Sequence, residues 1–393
     1  MLRRVRFRPY PSHAFAIEIT IRHLTFESRM MKNLLWLLLP IVAQAQAQSV
    51  TTEVMAQGFN SPWAMAALPR GEWLVTERPG AIRKVDAQGK VSAPLQGVPD
   101  VDAGGQGGML DLVLDSKFAS NRQLYFCYTE AGAGGNGTAL AKARLSADAS
   151  ALEQVQVIFR QVPKMSGRHH FGCRIAEARD GTLFMTLGER FSGMQRAQQL
   201  DNHLGKIIRV TKEGKAPADN PFVNTAGALP EIYSYGHRNP QGMVMDAKGQ
   251  LWAHEHGPQG GDELNLVQAG KNYGWPSITY GEKYGGGKMG DGATARDGME
   301  QPVVQWTPSI APSGMAQLTS AAYGEAWKDS FFIGALKFRY LERVQLKDGK
   351  VVGQHKLLAD VGRLRDVRQG TDGLLYVLTE SEPAQLLRLR PGN

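Results

Sequence analysis

Residues 235–276 decide the fold. They read Tyr235-Gly236-His237-Arg238-Asn239-Pro240-Gln241-Gly242, then an apolar run Met243-Val244-Met245, a turn at 246–249, and a second run Leu251-Trp252-Ala253. His254-Glu255-His256-Gly257-Pro258 follows, then the acidic pair Asp262-Glu263 leading into Leu264-Asn265-Leu266-Val267, and the stretch closes on Asn272-Tyr273-Gly274-Trp275-Pro276. Short β-prone runs punctuated by Gly, Asp and Asn predict a small antiparallel meander. No helical period is sustained over several turns anywhere beyond Val54.

Outward from this stretch the same unit recurs. Its first strands fall at Trp63 to Leu68, Met109 to Leu114, Arg174 to Ala178, Met243 to Met245, Met315 to Leu318 and Arg365 to Arg368. Each is followed by a turn and a second apolar run, such as Trp73-Leu74-Val75-Thr76-Glu77 or Leu375-Tyr376-Val377-Leu378-Thr379, and then a third. Six such meanders predict an all-β protein, a six-bladed β-propeller of four-stranded antiparallel sheets. The run Thr52-Glu53-Val54-Met55-Ala56 is placed to supply the outermost strand of the last blade and close the ring. A β-sandwich or two separate β-domains is the competing architecture. Residues 131–137, 190–203 and 280–299 read as surface insertions between units.

Net charge misleads if taken whole. The chain carries 45 Lys and Arg against 37 Asp and Glu, a formal +8. Residues 1–48 hold seven of the cations (Arg3, Arg4, Arg6, Arg8, Arg22, Arg29, Lys32) against Glu18 and Glu27, which leaves +3 for the remainder. A nearly balanced chain gives no reason to expect nucleic acid as a partner. Lys32-Asn33 precedes the apolar run Leu34 to Val42, and Ala43-Gln44-Ala45-Gln46-Ala47 forms an A-x-A cleavage pattern. This predicts a secretory signal within residues 1–47, export to the periplasm, and a single propeller domain over 48–393, with no stable membrane insertion. Met30 and Met31 are candidate starts. Two cysteines, Cys127 and Cys173, imply no disulfide framework. One bridge is open to them, but Cys127 in an apolar strand reads as an unpaired buried thiol.

A polar cluster precedes the first strand of most units: Gly105-Gln106-Gly107-Gly108, Arg168-His169-His170-Phe171-Gly172, His237-Arg238-Asn239, Thr307-Pro308-Ser309 with Ser313, and Arg363 with Arg365. In a propeller these starts lie at one end of the ring beside the axis, so residues far apart in sequence converge on a central cleft. Arg238, Arg363, Arg365 and an inward-turned Lys337 bring up to four cations there, which demand carboxylates or a polyanionic ligand. Arginine forks suit carboxylate or phosphate. His170 is a candidate general base. The backbone at Gly257-Pro258 can offer carbonyl oxygens to a hard cation such as Ca²⁺. His254 and His256 are not read as an adjacent metal pair. Glu189 and Asp201 read as turn residues.

The motifs quoted above resemble the soluble pyrroloquinoline-quinone (PQQ)-dependent aldose sugar dehydrogenases of the glucose/sorbosone dehydrogenase group, which are six-bladed propellers. The resemblance runs from about Val54 to Leu389 and also rests on His203-Leu204-Gly205-Lys206-Ile207-Ile208-Arg209 and Ala218-Asp219-Asn220-Pro221-Phe222. It implies oxidation of the anomeric carbon of aldoses to lactones, with hydride passing to the quinone and His170 as the base. It places Gln106 beside substrate and base, Arg238 and Asn239 on the quinone oxygens, and Lys337, Arg363 and Arg365 on the cofactor's carboxylates. It makes the carbonyls of Gly257 and Pro258 ligands of a PQQ-associated Ca²⁺, with Asp262 nearby, and Glu263 and Tyr273 part of a second Ca²⁺ site. Thr307 stands where some members carry an aromatic wall, which favours a broad aldose range. The electron acceptor is expected to be diffusible or in a membrane, and monomer and homodimer stay open. A Ca²⁺-dependent lactonase-type propeller hydrolase and a non-catalytic glycan- or protein-binding propeller are the alternatives.

Overall fold

The structure is a computed structural model that describes residues 49–392, so the expected signal segment lies outside the described residues. It contains six four-stranded sheets. Blade 4, the stretch quoted first, is built from Pro240–Met245, Leu251–Glu255, Asp262–Val267 and Val304–Trp306. All its pairings are antiparallel. Blade 6 departs from sequential order. Its strands Leu364–Gln369, Leu375–Thr379 and Gln385–Pro391 are completed by Val50–Gln57, with Thr52 opposite Leu389. The expected ring closure is therefore present. It covers the blade faces an open array would expose and leaves only short outer edges.

Alternation along each strand explains how the blades stack. In Gln123–Gly132 of blade 2, Leu124, Phe126 and Tyr128 face blade 1, whereas Tyr125 and Cys127 face blade 3. Successive side chains point to opposite faces of a sheet, and here both faces are covered. The second strands Trp73–Glu77, Leu183–Leu187, Leu251–Glu255, Phe331–Ala335 and Leu375–Thr379 are consequently buried at every residue. Six apolar layers result, each shared by neighbouring blades.

The first strands pack on one another around the axis. In five blades their pairing with the second strand is interrupted by a bulge near the start, as between Pro240 and Gly242 or Leu364 and Asp366. A bulge re-aims side chains, and here it frees polar groups at the axis. Arg174 of blade 3 is 1% exposed and reaches Asp111 of blade 2 at 3.1 Å and Asp366 of blade 6 at 3.0 Å. Arg368 bonds the same two carboxylates at 2.8 and 3.0 Å. Asp366 also accepts the Met65 N–H of blade 1, and Arg174 donates to the Gln241 carbonyl of blade 4. Two cations and two anions thus tie five blades together.

Two expectations are corrected. Cys127 is not an unpaired thiol: it is bonded to Cys173, with the Cα atoms 5.8 Å apart. The strand of blade 2 and the loop opening blade 3 are neighbours only once the blades stack, a proximity that 46 residues of sequence separation hide. None of the three expected insertions lies between units. Residues 131–137 form the tip of a long hairpin inside blade 2, with Gly132 opposite Gly135, residues 190–203 join the second and third strands of blade 3, and residues 280–299 join the third and fourth strands of blade 4.

Candidate active site

A cleft of ≈ 390 Å³ opens at the axis where the first strands begin, lined by Trp63, Gln106, Asn239, His256, Arg363 and Arg365 among others. Its floor rests on the axial ion cluster, because the Arg174 guanidinium lies 4.3 Å from the centre of the Trp63 ring.

His170 is 5% exposed, and the residues after it, Phe171 and Gly172, line the cleft. The Gln106 Oε1 accepts the His170 N–H at 2.8 Å. The ring Nδ1 lies 2.8 Å from Glu189 Oε1. Burial, reinforced by Arg238, holds His170 well below the usual imidazole range, so the ring is neutral at neutral pH. Burial also pushes Glu189 up to about 7, against the pull of Arg238. Both shifts disfavour an ion pair, so the contact is a hydrogen bond whose direction follows the charge of Glu189. With Glu189 ionised, Nδ1–H donates and Nε2 keeps a lone pair. With Glu189 protonated, the carboxyl donates to Nδ1 and the proton sits on Nε2.

Arg238 is 3% exposed and has no ion-pair partner among the described residues. Its guanidinium donates to the His256 carbonyl at 3.3 Å and to the Tyr284 hydroxyl at 3.1 Å, and its Nε is buried with no partner. The rings of Trp275 and Tyr284 lie 5.2 and 5.9 Å away, within cation–π range. Asn239 Oδ1 accepts from Gly172 N–H and Gln241 Nε2, both at 3.2 Å. Arg363 and Arg365 are not free: both bond Glu380, at 2.6 Å from each Nε. Burial alone would raise the Glu380 carboxyl, but Arg365 and Arg363 outweigh it and leave it below the ordinary value. Lys337 does not turn inward. It is exposed, with its ammonium 5.3 Å from the Phe338 ring, while the preceding Leu336 lines the cleft.

Asp262 is fully buried, with Gly257 N–H on one oxygen at 2.9 Å and Ser309 Oγ and Ala311 N–H on the other. It braces the turn at 257–261 and does not line the cleft. The carbonyls of Gly257 and Pro258 accept no hydrogen bond among the described residues, which leaves them available to a cation. A smaller cavity, lined by Arg238, Glu255, His256, Glu263 and Tyr273 among others, adjoins this turn. Glu263 is pushed up to about 8 by burial and the nearby Glu255. The Tyr273 hydroxyl is committed to Leu266 O and Gln268 N–H. Among the described residues no three His, Cys, Asp or Glu side chains converge as a metal site, so any cation here would need backbone oxygens beside at most two carboxylates.

Sequence reasoning followed the starts of the first strands and missed the ends of the second. In an antiparallel blade these meet at the same rim. Glu77, Glu189, Glu255 and Glu380 all lie at or just beyond second-strand ends. Glu255 takes His237 Nδ1 at 2.8 Å and the Arg238 N–H at 2.5 Å. The repeated acid after an apolar run was the signal that could have found them. His254, fully buried with both ring nitrogens unpartnered, takes no part in the cleft lining, whereas His256 does.

The profile of the Glucose / Sorbosone dehydrogenase family matches residues 59–388. The chain belongs to this family. As a glucose/sorbosone dehydrogenase it is an oxidoreductase acting on sugar donors. It is 44% identical over 366 residues to aldose sugar dehydrogenase YliI of Escherichia coli, covering 91% of this chain and 98% of that one. The crystal structure of the soluble E. coli aldose sugar dehydrogenase in its apo form superposes with a TM-score of 0.84 at 45% identity, covering 87% of this chain and all of that one. The PQQ-bound aldose sugar dehydrogenase of Streptomyces coelicolor gives 0.72 at 31% identity, covering 87% of this chain and 98% of that one. Among the described residues of this family member, no helix is long and apolar enough to cross a membrane.

Proposed function

We propose that the protein is a PQQ-dependent dehydrogenase that oxidises the anomeric carbon of a range of aldoses to the lactone. The observation that carries this reading is a neutral, Glu189-held His170 beside a cleft with cations in excess: Arg363 and Arg365 share one Glu380, and Arg238, in the smaller cavity that shares His256 with the cleft, has no carboxylate partner among the described residues. A planar, carboxylate-bearing quinone fits that donor set. Arg363 and Arg365 would hold its carboxylates, a role Lys337 would share only by turning in from its exposed position, and Arg238 and Asn239 would meet its reducible oxygens. When bound, the quinone supplies the two-electron acceptor.

The chain's own part is to place the sugar and move one proton. His170 Nε2 takes the proton of the anomeric hydroxyl as the C1–H bond yields its electron pair and C1 becomes a carbonyl. Gln106 fixes the His170 backbone and stands beside the substrate. The carbonyls of Gly257 and Pro258 would hold a Ca²⁺, which when bound acts as a Lewis acid, and Asp262 shapes their turn. Glu263 and Tyr273 would contribute to a second Ca²⁺ site, Tyr273 through its backbone because its hydroxyl is engaged. Export to the periplasm, where a diffusible or membrane acceptor takes the electrons, agrees with the apolar run and cleavage pattern before residue 48.

The test is reconstitution of the purified chain with PQQ and Ca²⁺, followed by dye reduction with a panel of aldoses. Turnover with several aldoses is expected. Retention of no quinone together with no aldose-dependent reduction would reject the proposal.

A further inference from the structure

We propose that the Cys127–Cys173 disulfide is a positioning clamp for His170, holding the loop that carries the imidazole onto the rigid hairpin of blade 2. The inference rests on the dehydrogenase reading for its kinetic consequence, and on geometry alone for its structural one.

Residues 168–174 belong to no strand. Within them His170, Gly172 and Cys173 have φ of 54°, 66° and 76°. Two of these are not glycine, and side chains rarely adopt this left-handed region unless their surroundings over-determine it. The surroundings are tight. A Cβ on Gly172 would come within 2.7 Å of the Thr186 carbonyl, and one on Gly188 within 2.2 Å of the His170 carbonyl. Four hydrogen bonds hold the loop's amides: His170 N–H to Gln106 Oε1, Gly172 N–H to Asn239 Oδ1, Cys173 N–H to Thr186 O at 2.7 Å, and Arg174 N–H to Thr186 Oγ1 at 2.9 Å.

Two of those four acceptors, Gln106 and Asn239, are side chains that line the cleft. A ligand that bonds those two side-chain oxygens would compete with the loop's N–H groups for them. The disulfide is a constraint no ligand can displace. Cys127 sits mid-strand, opposite Leu140, and neither sulfur residue is exposed. The bridge therefore transfers the rigidity of a paired strand to a point three residues from the base. Misplacing a catalytic group by about 1 Å can lower a rate on the order of a hundredfold.

The experiment compares the full chain with two variants, Cys127→Ala/Cys173→Ala and Cys127→Ala/Cys173→Gly, the second placing glycine at the positive φ. Folding is verified by circular dichroism, and amide hydrogen exchange and steady-state kinetics are then measured. The expected result is exchange faster by about tenfold or more at 168–175 with the blade strands unchanged, and kcat lower by about tenfold or more with KM within about threefold. A folded variant with wild-type exchange in this loop and kcat within about twofold would overturn the clamp. So would failure of both variants to fold, which would make the bridge a global rather than a local requirement. If the wild-type chain shows no aldose turnover, the dehydrogenase reading fails and hydrogen exchange alone decides the clamp.

Discussion

Glu189→Gln isolates the electrostatic part of the His170 dyad. The substitution preserves size at a site where both side chains are almost fully buried, and its amide oxygen can still accept from Nδ1 across the 2.8 Å contact. What is lost is the charge that stabilises the imidazolium as the proton arrives. With charge centres about 4 Å apart and an effective dielectric of about 20, that attraction is about 4 kcal/mol. If between half and all of it is present in the transition state, kcat falls about 30- to 1000-fold, with little change in KM. The pH profile carries the sharper signature. Glu189 titrates near 7 because burial raises it. Below that pH its protonated carboxyl donates to Nδ1 and places the proton on Nε2, which disables the base. Wild-type kcat should therefore rise with pH through about 7, whereas Glu189→Gln should lose that limb. Steady-state kinetics from pH 5 to 9 on the reconstituted enzyme provides the assay. Unchanged kcat with the limb still in place would refute the reasoning.

Three further outcomes follow from the same geometry. Asp366→Ala leaves Arg174 and Arg368 with Asp111 alone and strips the acceptor from Met65 N–H. Breaking a buried charge network by removing one partner costs about 3–5 kcal/mol, so the urea midpoint should fall accordingly, and a loss below about 1 kcal/mol would contradict the axial cluster's role. Ca²⁺ should raise the melting temperature of the chelator-treated chain, since a ligand at about 100 times its Kd adds about 2.7 kcal/mol. Glu263→Gln should weaken that response at limiting Ca²⁺, and an identical titration curve would remove Glu263 from the site.

The blades were legible because both faces of each sheet are buried, which writes near-continuous apolar runs such as Leu183–Leu187 into the sequence. The starts of the first strands were legible for a related reason. Polar residues there interrupt an apolar pattern, and His170, Arg238, Asn239, Arg363 and Arg365 all stand at the axial end. What stayed hidden depends on contacts across a hairpin, a long loop or a blade boundary. Glu189 looked like a turn residue because its partner lies 19 residues back across a blade's first hairpin. Glu380 bonds two arginines 17 and 15 residues before it. Tyr284 sits on a glycine-rich loop whose sequence gives no hint that it reaches Arg238, 46 residues away. The pairing of Cys127 with Cys173 likewise needed the stacking geometry, not the strand pattern.

The most direct measurement is a single turnover of the PQQ-reconstituted enzyme with glucose and with glucose deuterated at C1, for wild type and His170→Ala. Transfer from C1 with His170 as the base predicts a slower rate for the deuterated sugar in wild type. It also predicts a loss on the order of a hundredfold or more in His170→Ala, with quinone binding retained. Equal rates for the two sugars under conditions where chemistry limits, or full turnover by His170→Ala, would contradict the account.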